Sequence, residues 1–86
     1  SMVKHGHLSS PYMAFLKLVN INDPECQKLP TVFFPEDISD PEARSVATKT
    51  AKAICKACPI VDECFTYAME THQRYGIWGA TSPQDR

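Results

Sequence analysis

Four cysteines are the residues of this 86-residue chain best suited to chemistry, and they fall as C-x28-C-x2-C-x5-C at Cys26, Cys55, Cys58 and Cys64. Three of them crowd into the ten residues "CKACPIVDEC". Thiols at that density suit three kinds of chemistry. Zinc takes tetrahedral thiolates, although the usual two-knuckle site repeats a short C-x2-C and only one such pair is present here. An iron-sulfur cluster is a larger object, so its ligands can come from helix ends and a remote loop without sharing one knuckle. A C-x2-C pair can also serve as a redox dithiol, and Cys58 precedes a helix start that would stabilise a thiolate. Against that oxidoreductase reading of Cys55 and Cys58, no strand pattern precedes the motif and no βαβ alternation surrounds it. Spacing leaves zinc and cluster open.

The elements that must bring these thiols together are punctuated by proline. In "SSPYMAFLKLVN" Ser10 can cap and Pro11 can open a helix whose face is Tyr12, Phe15, Leu16 and Val19, ending near Asn20. Prolines then forbid long regular structure between Ile21 and Ile38, which predicts an extended, irregular loop carrying Cys26, Phe33 and Phe34. A second helix is expected from Ser39 and Glu42 as a capping box, with an alanine-rich stripe of Ala43, Val46, Ala47, Thr50, Ala51 and Ile54, finishing at Cys55. Small side chains along that stripe permit close approach of something bulky. A third helix is expected to open at Pro59 and to run through Ile60, Val61, Cys64, Phe65, Ala68 and Met69 to about His72. Cys55 would then end one helix, Cys58 open the next and Cys64 lie further along it, with Cys26 swinging in from the loop as fourth ligand. After this helix, Gly76 and Gly79 bracket Ile77 and Trp78, the chemistry of a tight turn that thrusts a large aromatic outward.

Composition bounds the rest. A chain this short buries little apolar surface and needs a staple, while 43% apolar residues and a formal net charge of -1 exclude both disorder and a polyelectrolyte. No apolar run approaches the roughly 20 residues of a membrane span, and the longest, Tyr12 to Val19, is broken by Lys17. A signal peptide fits poorly, so a cytoplasmic location is expected, where cysteines serve metal or redox chemistry rather than structural disulfides. Ser1 ahead of Met2 reads as an expression scar, residues 1–10 with His5 and His7 as a flexible leader, and 11–86 as one domain.

The lone Cys26, then "CKACPIVDEC", then "GIWGA", with "FFP" (Phe33, Phe34, Pro35) between the first two cysteines, resembles the WhiB-like family of actinobacteria and their phages. The resemblance runs from about Pro24 to Ser82. It implies an all-α domain of three to four helices wrapped around a 4Fe-4S cluster held by Cys26, Cys55, Cys58 and Cys64. It further implies a non-enzymatic transcription regulator that binds region 4 of the primary sigma factor of RNA polymerase, with a cluster that reacts with nitric oxide or oxygen. The matching turn and the Phe pair would form the sigma contact, through Phe33, Phe34, Pro35, Gly76, Ile77, Trp78 and Gly79, with Trp78 as the first anchor. The final glycine of the family's turn is replaced here by Ala80, which leaves the turn geometry to be established.

Near the thiols, Lys28, Lys52 and Lys56 are candidate cations to offset cluster charge, or simply solvated side chains. His72 reads as a solvated cap. Many relatives continue into a basic tail that grips DNA, whereas "TSPQDR" has one Arg and one Asp, so DNA contact is expected only weakly or through the holoenzyme. Holding the sigma factor without gripping DNA would make a repressor or dominant-negative form. A zinc-stabilised adaptor using the same Trp surface is the alternative.

Overall fold

The computed structural model describes residues 11–86. The leader, His5, His7 and the Ser10 cap lie outside the described residues. Four α-helices are present among the described residues: α1 (Pro11–Asn22), α2 (Pro30–Phe33), α3 (Pro41–Lys56) and α4 (Val61–Glu70). Among the described residues the β pairing consists of one isolated bridge, Trp78 to Thr81. The expected all-α architecture is observed. Among the described residues, no helix is long and apolar enough to cross a membrane.

The proline-rich connection is more ordered than its composition predicts. Instead of an extended loop, residues 24–37 form three consecutive short helical turns, at Glu25–Lys28, Pro30–Phe33 and Pro35–Asp37, each preceded or opened by a proline. A fixed φ near −65° suits a first helical turn, and a first-turn N–H has no helical partner to lose, so clustered prolines shorten helices rather than abolish them. Leu29 and Phe34, between the turns, take φ −132° and −128° and redirect the chain. α1 ends in a left-handed residue, Asp23 (φ 44°), whose N–H donates to the Val19 carbonyl at 2.9 Å.

α3 starts one residue later than the capping-box reading placed it. Asp40, not Ser39, is the N-cap, and its Oδ2 accepts the Ala43 N–H at 2.8 Å. Arg44 reaches back to the carbonyls of Ile38 and Ser39 at 2.9 and 3.0 Å, fastening the incoming chain to the helix. The buried stripe is rotated from the expected one: Ala47, Ala51 and Cys55 are buried at four-residue steps, whereas Val46 is 60% exposed. α4 likewise begins at Val61 rather than Pro59, with Ile60 and Ala68 buried while Phe65 and Met69 remain exposed. Its end is a Schellman turn in which Gln73 N–H donates to the Ala68 carbonyl at 2.9 Å and His72 takes φ 55°. His72 is an exposed terminator, in keeping with its reading as a cap.

The apolar core is thin. Phe33 and Ile77 meet over the fully buried Ala51 and the adjacent Cys55, with Leu29, Val32 and Ile54 packed around them. The alanine stripe therefore does admit bulky groups, and they are these two side chains. A second interface joins α1 to α4, where the Phe15 and Tyr67 rings stack at 4.4 Å between centroids and Trp78 leans against both.

Candidate metal centre

Cys55 lies in the last turn of α3, and its carbonyl accepts the Cys58 N–H at 2.9 Å, so the C-x2-C pair spans one tight turn. The Cys58 carbonyl in turn accepts from Val61 at 3.3 Å, and Cys64 sits in the first turn of α4 with its N–H on the Ile60 carbonyl at 2.9 Å. Cys26 arrives on the short Glu25–Lys28 turn that follows α1. All four thiols are free of disulfides and line a single cavity of about 630 Å³. Phe15, Phe33, Phe34, Ile77 and Trp78 supply apolar walls.

Burial acts on these sulfurs first. It pushes the Cys26 and Cys55 thiols above their ordinary value and the Cys64 thiol up to about 12, and mutual repulsion of the neighbouring cysteines adds to the rise. Backbone amides oppose it. The N–H groups of Ala80 and Gly79 face the Cys55 sulfur, and that of Gly79 also faces Cys64. Thus the turn predicted from "GIWGA" covers two of the sulfurs with its own backbone. Cys26, Cys55 and Cys64 held this way are poorly ionised alone and become good ligands once a cationic metal offsets the charge.

The fit to a polynuclear centre rests on the donor chemistry and the room available. Four sulfurs, one apolar cavity and inward amide donors match what an iron-sulfur cluster requires. Among the described residues, no group of three or more His, Cys, Asp or Glu side chains is drawn together closely enough to grip a metal ion as it stands.

The covering turn is built from left-handed residues: Gly76 (φ 84°), Gly79 (φ 56°) and Ala80 (φ 64°). Three long-range attachments pin it. Both Glu36 carboxylate oxygens accept the Gly76 N–H, at 3.0 and 3.1 Å, the Phe33 carbonyl accepts the Ile77 N–H at 2.8 Å, and Arg86 gathers carbonyls from its two ends. Trp78 is half-buried rather than thrust outward, its Nε1 donating to the Tyr75 carbonyl at 2.9 Å and its ring 5.7 Å from Tyr67. Ala80 shows how this chain accommodates the missing glycine: the turn keeps its left-handed residue and accepts the Cβ strain. Ala80→Gly is accordingly expected to stabilise the domain by about 0.5–1 kcal/mol in chemical denaturation, because relief of an αL penalty of about 1–2 kcal/mol exceeds the small packing energy of one methyl group; unchanged or lower stability would contradict this reading.

The expected partner-binding residues do not share one environment. Phe33, Pro35, Gly76, Ile77 and Gly79 are buried, while Phe34 (38% exposed) and Trp78 reach the surface at the mouth of the cavity. Consecutive side chains diverge, so Phe33 enters the core as Phe34 covers Gly76. The cations also fall differently from expectation. Lys28 pairs loosely with Asp23 and Glu25 at 3.8 and 3.5 Å, and Lys52 pairs with Asp85 at 2.7 Å, holding that carboxyl down to about 2. Arg86 and Glu36 have no counterpart among the sequence expectations; two polar residues remote from the thiols carry no local signal for such a role.

A small helical domain whose four thiols line one apolar cavity carries the donor set of a cysteine-ligated metal centre. Comparison with known proteins narrows the class. Residues 21–86 match the family described as transcription factor WhiB, and the chain belongs to that family. It is 37% identical over 59 residues to "Transcriptional regulator WhiB1" of Bifidobacterium longum, covering 69% of this chain and 62% of the relative. It is 39% identical over 57 residues to "Transcriptional regulator WhiB" of Streptomyces coelicolor, covering 66% of this chain and 58% of the relative. With "Redox- and pH-responsive transcriptional regulator WhiB3" of Mycobacterium tuberculosis it shares 34% identity over 56 residues, 65% of this chain and 55% of the relative. The matched stretch thus spans less than two thirds of the length of these relatives.

Proposed function

We propose that this domain holds a 4Fe-4S cluster on Cys26, Cys55, Cys58 and Cys64 and regulates transcription by binding region 4 of the primary sigma factor. The observation that carries the reading is that all four thiols line one largely apolar cavity, with the Gly79 and Ala80 backbone on the side of Cys55 and Cys64. The cluster supplies a redox-reactive centre whose loss would alter the surface around it; a relative bears the name of a redox-responsive regulator. Phe34 and Trp78 support the partner half, since both border that cavity and both reach solvent. Aromatic side chains of this kind anchor interfaces at low ordering cost. Phe33, Pro35, Ile77 and the two glycines then shape the contact from beneath rather than touching the partner.

Weak intrinsic DNA binding by this domain fits its formal net charge of -1, and Arg44 and Arg86 spend their donors on backbone carbonyls while Lys52 is paired with Asp85. Occupying the sigma surface without gripping phosphates gives repression by competition. An oxidoreductase of the C-x2-C kind would need the motif to follow a strand, and among the described residues Cys55 and Cys58 instead join α3 to α4.

Anaerobic preparation followed by iron, sulfide and zinc analysis tests the cofactor; about four irons and about four sulfides per chain are expected. One zinc per chain with neither would establish the adaptor alternative. For the partner, sigma region 4 should co-purify with the loaded protein and be lost in Trp78→Ala and Phe34→Ala, each weakening binding by at least about 2 kcal/mol, as interface anchors do. Full retention by both variants would place the contact elsewhere.

A further inference from the structure

Arg86 ties its guanidinium to backbone carbonyls on three separate stretches of chain, and none of its hydrogen bonds goes to a carboxylate. Its Nη1 donates to the Thr81 carbonyl at 2.8 Å, and its Nη2 donates to the Gly76 carbonyl at 3.0 Å and the Gln73 carbonyl at 3.2 Å. The Gly76 and Thr81 acceptors lie on either side of Gly79 and Ala80, whose N–H groups face the Cys55 and Cys64 sulfurs. A planar guanidinium can bridge both ends of a loop in this way, and a lysine ammonium cannot reproduce the fork. On the far side, Glu36 accepts the Gly76 N–H through both oxygens. The loop is therefore clamped by a cation on its carbonyls and an anion on its amide.

We propose that Arg86 is a positioning residue for the metal centre: it latches the 75–81 loop so that the Gly79 and Ala80 amides stay on the sulfurs, and it lends positive charge to the cavity from behind that loop. The loop that the guanidinium ties down supplies Ile77, Trp78 and Gly79 to the cavity wall, so the cation stands behind that wall. Lys52 completes the frame by holding Asp85, whose Oδ2 accepts the Ser82 N–H at 2.9 Å. Amide donors and nearby cations favour the more reduced, more negative form of a thiolate-bound cluster. The charge half of the inference rests on the proposed cluster; the latch half does not.

The metal-free, fully reduced protein tests the latch. With a maleimide probe, the ratio of Cys64 to Cys26 labelling should rise about tenfold in Arg86→Gln and in Arg86→Lys, since a local opening exposes what the loop covers and leaves the Glu25–Lys28 turn alone. An unchanged ratio, or an equal rise at both cysteines, overturns the latch. In anaerobically loaded protein, Arg86→Gln should lower the cluster's reduction potential and hasten its loss to a chelator, whereas Arg86→Lys should restore most of the potential but not the retention. Identical potentials in wild type and Arg86→Gln overturn the charge role. Should the wild type bind no iron, the cluster reading fails and the charge role falls with it, while the labelling ratio still decides the latch.

Discussion

Anaerobic removal of iron from the loaded protein is expected to lower the melting temperature by more than about 10 °C while leaving a folded domain with a looser core. The argument is one of interior contacts. The four thiols line a cavity of about 630 Å³ that opens to solvent, so without a group to fill it the apolar walls supplied by Phe15, Phe33, Ile77 and Trp78 face water rather than one another. The total stability of a domain this size is about 4–13 kcal/mol at 0.05–0.15 kcal/mol per residue, so a loss of about 2–3 kcal/mol is a large fraction of it. Little else compensates: among the described residues the buried apolar side chains comprise three alanines, Val19, Phe33, Cys55, Ile60 and Ile77, and no large side chain is completely buried. Circular dichroism and amide exchange of the chelated protein should show α3 and α4 retaining their helicity, with weaker protection around Cys55, Cys58 and Cys64. A sharp transition at the original temperature after complete iron removal would refute the idea that the centre organises the fold. Alanine at any one of the four cysteines should have the same consequence, since a three-thiolate set leaves the cluster a ligand short.

Gly79→Ala is expected to be the most damaging substitution outside the cysteines. A Cβ at this position would stand 2.5 Å from both the N and the Cβ of Phe65 and 2.7 Å from its Cα. Two of those atoms are helix backbone, which cannot turn aside. The same residue has φ 56°, so an αL penalty of about 1–2 kcal/mol adds to an overpacking cost of about 1–3 kcal/mol. The sum of roughly 2–5 kcal/mol would separate the loop from α4 and withdraw the amide that faces Cys55 and Cys64. Gly76 makes the useful comparison. A Cβ there meets the Phe34 ring at 2.8 Å, but that ring belongs to a half-exposed side chain able to swing away. Gly76→Ala should therefore cost less, near the αL penalty alone, and leave iron uptake intact. Denaturant titration and iron content of the two variants check the order; equal stability losses would mean the Gly79 approach is not the constraint.

The two substitutions in the turn, Gly79→Ala and Ala80→Gly, are reverse exchanges at left-handed residues, so the αL penalty alone moves stability in opposite directions. The neighbours set the difference in size. Gly79 abuts the α4 backbone, whereas the Ala80 methyl packs at the margin of the Phe33 and Ile77 core.

Much of this site is legible from residue type and spacing. Thiols at C-x2-C-x5-C around a proline place Cys55, Cys58 and Cys64 at a helix end, a turn and a helix start because hydrogen-bond geometry within a dozen residues dictates it. The paired glycines announce left-handed backbone for the same local reason. The helices are readable from their periodicity, though their edges are not: Asp40 outcompetes Ser39 as cap, and the connection around Cys26 consists of turns rather than extended chain. What spacing cannot decide depends on distance through space. Which of two adjacent phenylalanines enters the core, whether Trp78 faces solvent or Tyr67, and which cation ties down the 75–81 loop are settled by side chains brought together from opposite ends of the domain. Sequence records a residue's chemistry and its near neighbours along the chain. Burial and charge proximity arise only when remote segments compete for the same small volume, and here that competition put Arg86, rather than the lysines beside the cysteines, behind the loop.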